Sequence, residues 1–324
     1  MALGHCHILS ATIRGVVASL VEVEVDVSSG IPSFQIVGMP DAAVQESKER
    51  VRAAIKAADY TMPVQRIVVN LAPSAMKKSG SGFDLPIAVG ILAATGQIDG
   101  HPLEKSLLVG ELSLEGQVRP VAGILAYARC AQDKGLSLIS AFDSSQIVPI
   151  KDLVYEALDS LGSLRSKNLR AVASSRTSVQ RKTLDFKDIA GHEMAKRALQ
   201  IAAAGNHGLL MMGPPGSGKT MLASRLPSIL PPLSDDEILE TAQIHSVVGN
   251  EIQSILAGIR PFRSPHHSSS RAGLVGGGTP VRPGEISLAH NGILFLDELA
   301  EFKSFYPSGD STTHGDGGDC YHAR

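Results

Sequence analysis

The chain has 324 residues, 43% hydrophobic and 19% charged, with 30 Lys and Arg against 32 Asp and Glu. That length accommodates two domains and excludes a lone small module or a disulfide miniprotein, and the apolar content excludes an intrinsically disordered chain. A formal net charge of -2 and only 4% aromatics without Trp exclude bulk attraction to nucleic acid or lipid and a base-stacking platform as the main binding device.

Cys6, Cys130 and Cys320 lack the paired spacing of a zinc site or disulfide framework. No apolar run reaches the ~18 residues of a membrane span, and the N-terminus has no signal-peptide pattern. A cytoplasmic protein without membrane contact is therefore expected.

From Leu20, Val21, Val23, Val25 and Val27 alternate with Glu22, Glu24 and Asp26, the period of a strand over 16–27 with one wet face. The plain reading of those carboxylates is a solvated face. A helix over Asp41–Ala58 follows, with Asp41 as N-cap and Val44, Val51 and Ile55 at helical spacing. A buried strand is expected at Arg66–Leu71, a helix at Leu85–Ala94, strand-like sequence at Ser106–Leu114, a helix at Val121–Gln132 and a strand at Ser137–Ala141. These make a mixed α+β domain over 1–164.

Residues 165–182 carry Arg165, Lys167, Arg170, Arg176, Arg181 and Lys182 without an acidic residue, and read as a basic linker, a solvated tether rather than a phosphate-contacting arm. A second domain over 183–302 begins with a helix at His192–Ala204 closed by Gly205, then a short apolar strand at Gly208–Met212. Ser234 followed by Glu237 has the form of a capping box that opens another helix. Residues 261–292, rich in Gly, Pro and Ser, read as loop or hairpin leading into a strand at Ile293–Leu296.

Gly213-Pro214-Pro215-Gly216-Ser217-Gly218-Lys219-Thr220 matches the phosphate-binding pattern G-x-x-x-x-G-K-S/T, between an expected strand and an expected helix. Glycines let consecutive backbone N–H groups converge on phosphate oxygens. The following helix adds the partial charge of its N-terminus, Lys219 reaches the terminal phosphates, and Thr220 offers its hydroxyl to Mg2+. Ile293-Leu294-Phe295-Leu296-Asp297-Glu298 supplies the second half of such a site, a Walker B pattern. Asp297 would hold the magnesium through water, and Glu298 would polarise the attacking water as general base. The candidate cofactors are ATP and Mg2+. The adjacent His266 and His267 suggest a metal, but neighbouring side chains on an extended segment point apart, so a histidine-bearing loop is the reading adopted.

Over about residues 8–302 the sequence resembles the ComM/YifB family of magnesium-chelatase-like AAA+ ATPases. The most specific segments are Asn70-Leu71-Ala72-Pro73, Phe83-Asp84-Leu85-Pro86-Ile87-Ala88, residues 261–268, and 283–292 leading into Asp297-Glu298. The resemblance implies an α/β architecture, a Lon-protease-like α+β domain followed by an AAA+ P-loop domain. It also implies a homo-hexamer that acts on branched or single-stranded DNA and drives branch migration during natural transformation and recombination. A Lon-type peptidase needs a nucleophilic Ser and an activating Lys. The expected serine position falls near Asp84, with Ser81 close by, and the expected lysine position is Leu125, so the first domain is expected to be non-proteolytic. Three other readings are an ATP-dependent protease or unfoldase, a magnesium chelatase motor subunit, and a non-functional fragment.

After Phe302 the family pattern stops. Residues 303–324 mix Gly, Asp, Ser and His without apolar periodicity, and read as an out-of-frame tail. The expected AAA+ domain is therefore incomplete. It lacks an arginine finger and the strand that would lie between Gly208–Met212 and Ile293–Leu296, and weak or absent activity is the corresponding expectation.

Overall fold

A computed structural model describes residues 4–143, 150–166, 169–172, 184–279 and 281–302. They form two compact units. The first takes the described part of 1–177 with Ala242–Leu256 and Thr279–Arg282, and the second takes the rest. The architecture is α/β. No helix among the described residues is long and apolar enough to cross a membrane.

In the first unit, β1 (Gly4–Arg14) and β2 (Val17–Ser28) form an antiparallel ribbon in register from Gly4 opposite Val27 to Arg14 opposite Val17. The ribbon continues with β3 (Ser33–Val37), α1 (Ala42–Ala57), β4 (Arg66–Ala72), α2 (Asp84–Ala94), β5 (Ser106–Leu108), β6 (Glu111–Leu112), β7 (Val118–Arg119), α3 (Ile124–Asp133), β8 (Ser137–Ser140), β9 (Tyr155–Ala157) and β10 (Arg170–Ala171). Eight of these strands make one mixed sheet among the described residues, in the order β10-β9-β8-β5-β1-β2-β4-β3. β6 and β7 pair separately.

The valines at 21, 23, 25 and 27 are buried, so the alternation of β2 does select its inner face. After Asp84, helix α2 is apolar all round, and it is buried along nearly its whole length, as a central core helix must be. It packs on β1 and β2. Gly90 permits that approach, because a Cβ there would lie 2.6 Å from Val25 Cγ2.

Several expectations differ from the observed elements. β1 is not legible by alternation because its inner face carries Ser10 and Thr12, both fully buried. β3 is only five residues long between Pro32 and Gly38. The strand-like stretch Ser106–Leu114 divides into β5 and β6, since the Gly110 N–H turns aside to Gly82 O and its carbonyl accepts from Leu85 N–H. Helix α3 starts at Ile124 instead of Val121, after Gly123 in the left-handed region. Arg165 and Arg170, read as linker, belong to the first unit. Arg165 donates to Asp59 O and lies 4.4 Å from the Tyr60 ring centroid, and Arg170–Ala171 pairs with β9. Lys167, Arg176, Arg181 and Lys182 lie outside the described residues, as do 303–324 with Cys320.

Asp41 caps α1 as its sequence position suggests, accepting from Val44 N–H at 2.9 Å. Asp41→Ala is expected to lower stability by about 1 kcal/mol, read as a shift of the urea midpoint at unchanged slope.

The second unit contains α4 (Glu193–Gly205), α5 (Lys219–Arg225) and the start of α6 (Asp235–Val247) around a small core of Phe186, Ile189, Leu199 and Leu222. Gly205 proves helical, and Asn206 takes the left-handed closing position, with φ 50°. The capping box is present, with Glu237 N–H donating to Ser234 Oγ and Ser234 N–H to Glu237 Oε2. Residues 208–212 join no ladder among the described residues, which leaves Leu210 71% and Met212 87% exposed. Part of the stretch read as loop or hairpin is ordered differently. Phe262–Arg263 pairs in parallel with Ile293–Leu294, a crossover connection, and short helices form at Arg271–Val275 and Glu285–Leu288.

Candidate nucleotide-binding site

Gly216 and Gly218 both sit in the left-handed region, φ 77° and 81°, and turn the chain into α5 at Lys219. Lys219 Nζ folds back over the loop and donates to Gly213 O at 3.0 Å and Pro214 O at 3.1 Å. Its ammonium group is thus held at the mouth of the loop by neutral carbonyls, partners that an anionic oxygen outcompetes.

The second arm arrives on the strand pair. Phe262 lies opposite Ile293 and Arg263 opposite Leu294, and Phe295 N–H donates to Arg263 O at 2.8 Å. Gly292 is required where the chain enters that strand, because a Cβ there would meet Pro261 O at 2.2 Å. The strand delivers Asp297 to Thr220. Thr220 Oγ1 donates to Asp297 Oδ2 at 3.0 Å, while Asp297 Oδ1 accepts from Glu298 N–H at 3.1 Å. Glu298 is left-handed, with φ 54°, and its side chain is 68% exposed.

One cavity of about 940 Å³ is lined by every candidate residue except Pro214, together with the apolar wall of Leu209, Leu210 and Met212. Residues 77 positions apart are therefore brought to one surface. The hydroxyl of Thr220 and the carboxylate of Asp297 are hard oxygen donors, a set that fits Mg2+ alongside water and phosphate oxygens.

The sequence reading missed several side chains around the site. His267 Nδ1 lies 3.4 Å from Glu298 Oε2, so this histidine faces the candidate general base rather than a free loop. Arg263 grips Glu285 with two bonds of 2.6 and 2.7 Å, and this partner raises the Arg263 guanidinium further above its ordinary range. Arg260 donates to both Glu237 oxygens, to Pro231 O and to Asn291 O, which ties the start of α6 to the entry of the Asp297 strand. The Ser234 N–H and Arg260 hold the Glu237 carboxyl below the usual range. The only local signal for these pairs is the presence of charged residues within a Gly- and Pro-rich stretch.

Residues 185–306 match the family model "Magnesium chelatase, subunit ChlI", and residues 23–143 match "Subunit ChlI of Mg-chelatase". The chain is therefore a magnesium-chelatase-like α/β protein. It is 46% identical over 307 residues to competence protein ComM of Haemophilus influenzae, covering 91% of this chain and 60% of that protein. It is 46% identical over 296 residues to YifB of Salmonella typhimurium, with 89% and 58% covered, and 41% identical over 317 residues to Rv2897c of Mycobacterium tuberculosis, with 94% and 62% covered. It belongs to the ComM/YifB family, whose members are of the AAA+ type. The chain spans about 60% of the length of the curated relatives it matches.

Proposed function

We propose that this chain carries the nucleotide site of a cytoplasmic, homo-hexameric AAA+ ATPase that couples ATP hydrolysis to branch migration of DNA in natural transformation and recombination. The observation that carries the reading is the 3.0 Å contact between Thr220 and Asp297 beside Lys219. It joins the two sequence motifs whose chemistry needs each other. In this reading residues 213–220 cradle the phosphates, Lys219 neutralises the terminal ones, Thr220 and Asp297 hold Mg2+, and Glu298 takes the proton of the attacking water. Bound Mg2+ would supply charge neutralisation at the transferred phosphoryl group. His267 orients Glu298 from the neighbouring loop. The DNA role rests on the relationship to a competence protein.

The domain division follows the same proposal, with a Lon-protease-like first domain over 1–164, a linker over 165–182 and the AAA+ domain over 183–302. Three features support a non-proteolytic first domain. Ser81 Oγ is engaged with Glu111 Oε2 at 2.5 Å, Asp84 is in an ion pair with Arg50, and Leu125 is buried.

A fluorescent ATP analogue should bind this chain in a Mg2+-dependent manner, and Asp297→Asn should remove most of that dependence. Equal binding with and without Mg2+ overturns the site assignment. A four-way DNA junction should compete for the protein better than duplex of equal length. Equal competition, or digestion of casein, overturns the DNA-remodelling reading.

A further inference from the structure

The wet face of the β1–β2 ribbon carries Asp26 opposite His5 and, clustered beside it, four donors that the nucleotide site does not use. His5 and His7 alternate on β1, Glu22 and Glu24 alternate on β2, and the register sets His7 directly opposite Glu24. With side chains of period two, all four stand on one face of the sheet. One ligand atom from each of His7, Glu22 and Glu24 lies within 4.8 Å of the other two. His5 Nε2 approaches His7 Nε2 at 2.9 Å, with the rings edge to face at 4.5 Å between centroids. Asn70 on the next strand donates to Glu24 Oε2 at 2.8 Å and fixes that carboxylate from outside the cluster.

We propose that this face binds a divalent transition metal, zinc in the first instance, through His7, Glu22 and Glu24, with His5 as a fourth donor. Imidazole nitrogen with carboxylate oxygen is a zinc-type donor set, whereas Mg2+ and Ca2+ prefer oxygen alone. Zinc bonds to such donors are about 2.0–2.2 Å, which places bound donors roughly 3.5 Å apart. The observed spacing closes to that by side-chain rotation. The backbone need not move, because β1 and β2 are paired along their full length and β4 supports β2 on its other edge. Sites on paired strands hold their donors more tightly than sites on loops. The ion would cross-link β1 and β2, and its presence does not depend on the nucleotide reading.

The test is calorimetric titration of the untagged chain with ZnCl2 in excess Mg2+. One zinc per chain is expected. His7→Ala and Glu22→Gln should each weaken binding about tenfold or more, with circular dichroism confirming that both variants remain folded. Glu22 is exposed, so its variant decides the matter if His7→Ala fails to fold. Absence of binding by the parent chain overturns the site, as does parental affinity in either folded variant. Binding that is lost in Cys6→Ser yet kept in His7→Ala also overturns it, since the ligand would then be the thiol on the opposite face.

Discussion

Lys219→Ala is expected to weaken ATP binding by about 100-fold, on the order of 2–3 kcal/mol for a charge-assisted bond to phosphate lost from the site. The lysine ammonium is already positioned at the loop mouth through Gly213 O and Pro214 O, so binding exchanges partners instead of ordering a free side chain. Without it the terminal phosphates would keep only the backbone N–H groups of the loop and the Mg2+ that Thr220 and Asp297 would hold. Lys219→Arg should not restore affinity, because a planar fork cannot replace a compact ammonium in a loop this tight. The loss should appear in calorimetric titration while thermal unfolding stays near that of the parent, since Lys219 lies outside the core cluster. Parental affinity in Lys219→Ala would remove residues 213–220 from the nucleotide site.

Arg50→Met is expected to destabilise the first unit by about 3–5 kcal/mol at neutral pH, by stranding a buried carboxylate. Asp84 is wholly buried, and Arg50 reaches it with bonds of 2.6 and 3.0 Å while Leu112 N–H adds a third at 3.2 Å. Burial pushes the Asp84 carboxyl above its ordinary range, and Arg50, Ser47 and the Leu112 N–H pull it back only in part. The sign of the pH dependence follows from that direction. Between the unfolded and folded values of a raised carboxyl, the native state binds more protons, so this group's contribution to stability falls as pH rises through that window. Removing Arg50 raises the carboxyl further. The penalty of Arg50→Met should therefore be small below the ordinary carboxylate range and grow to its full size as pH rises to neutrality. Urea unfolding at acid and neutral pH reads this directly, and a penalty that is equal at both, or larger in acid, would contradict it. Replacing both partners with apolar residues of similar volume should cost much less than either single change.

The same pair bears on the first domain's chemistry. Asp84 lies near the position where the proposed Lon-like reading would put a peptidase nucleophile, and its two oxygens are committed to Arg50 and the Leu112 N–H. A carboxylate so engaged serves to join α1 to the start of α2 and to β6.

What the sequence by itself determined lies where function or burial repeats at short range. The valines of β2 alternate because one face of a sheet is dry, Asp41 announces α1 because an N-cap needs a short acceptor, and residues 213–220 match the phosphate-loop pattern, in which glycine and lysine are needed at fixed spacing. Asp297 and Glu298 are legible as two acids after an apolar run, although the strand itself ends at Leu294 and the acids lie in the turn beyond it. β1 is not legible, since buried Ser10 and Thr12 interrupt its apolar pattern. The parallel partner of the Asp297 strand was also hidden, because Phe262–Arg263 is a two-residue ladder inside a Gly- and Pro-rich stretch.

Only the tertiary structure decided which distant groups meet. Thr220 with Asp297, His267 with Glu298, and Arg50 with Asp84 are separated in sequence by strands and helices whose packing sets the distance, while the register of β1 on β2 brings His7 to Glu22 and Glu24. Local propensity fixes the direction a side chain takes from its own element. Whether it finds a partner depends on register and packing between elements, and these are settled by burial across the whole unit, which no short stretch of sequence contains.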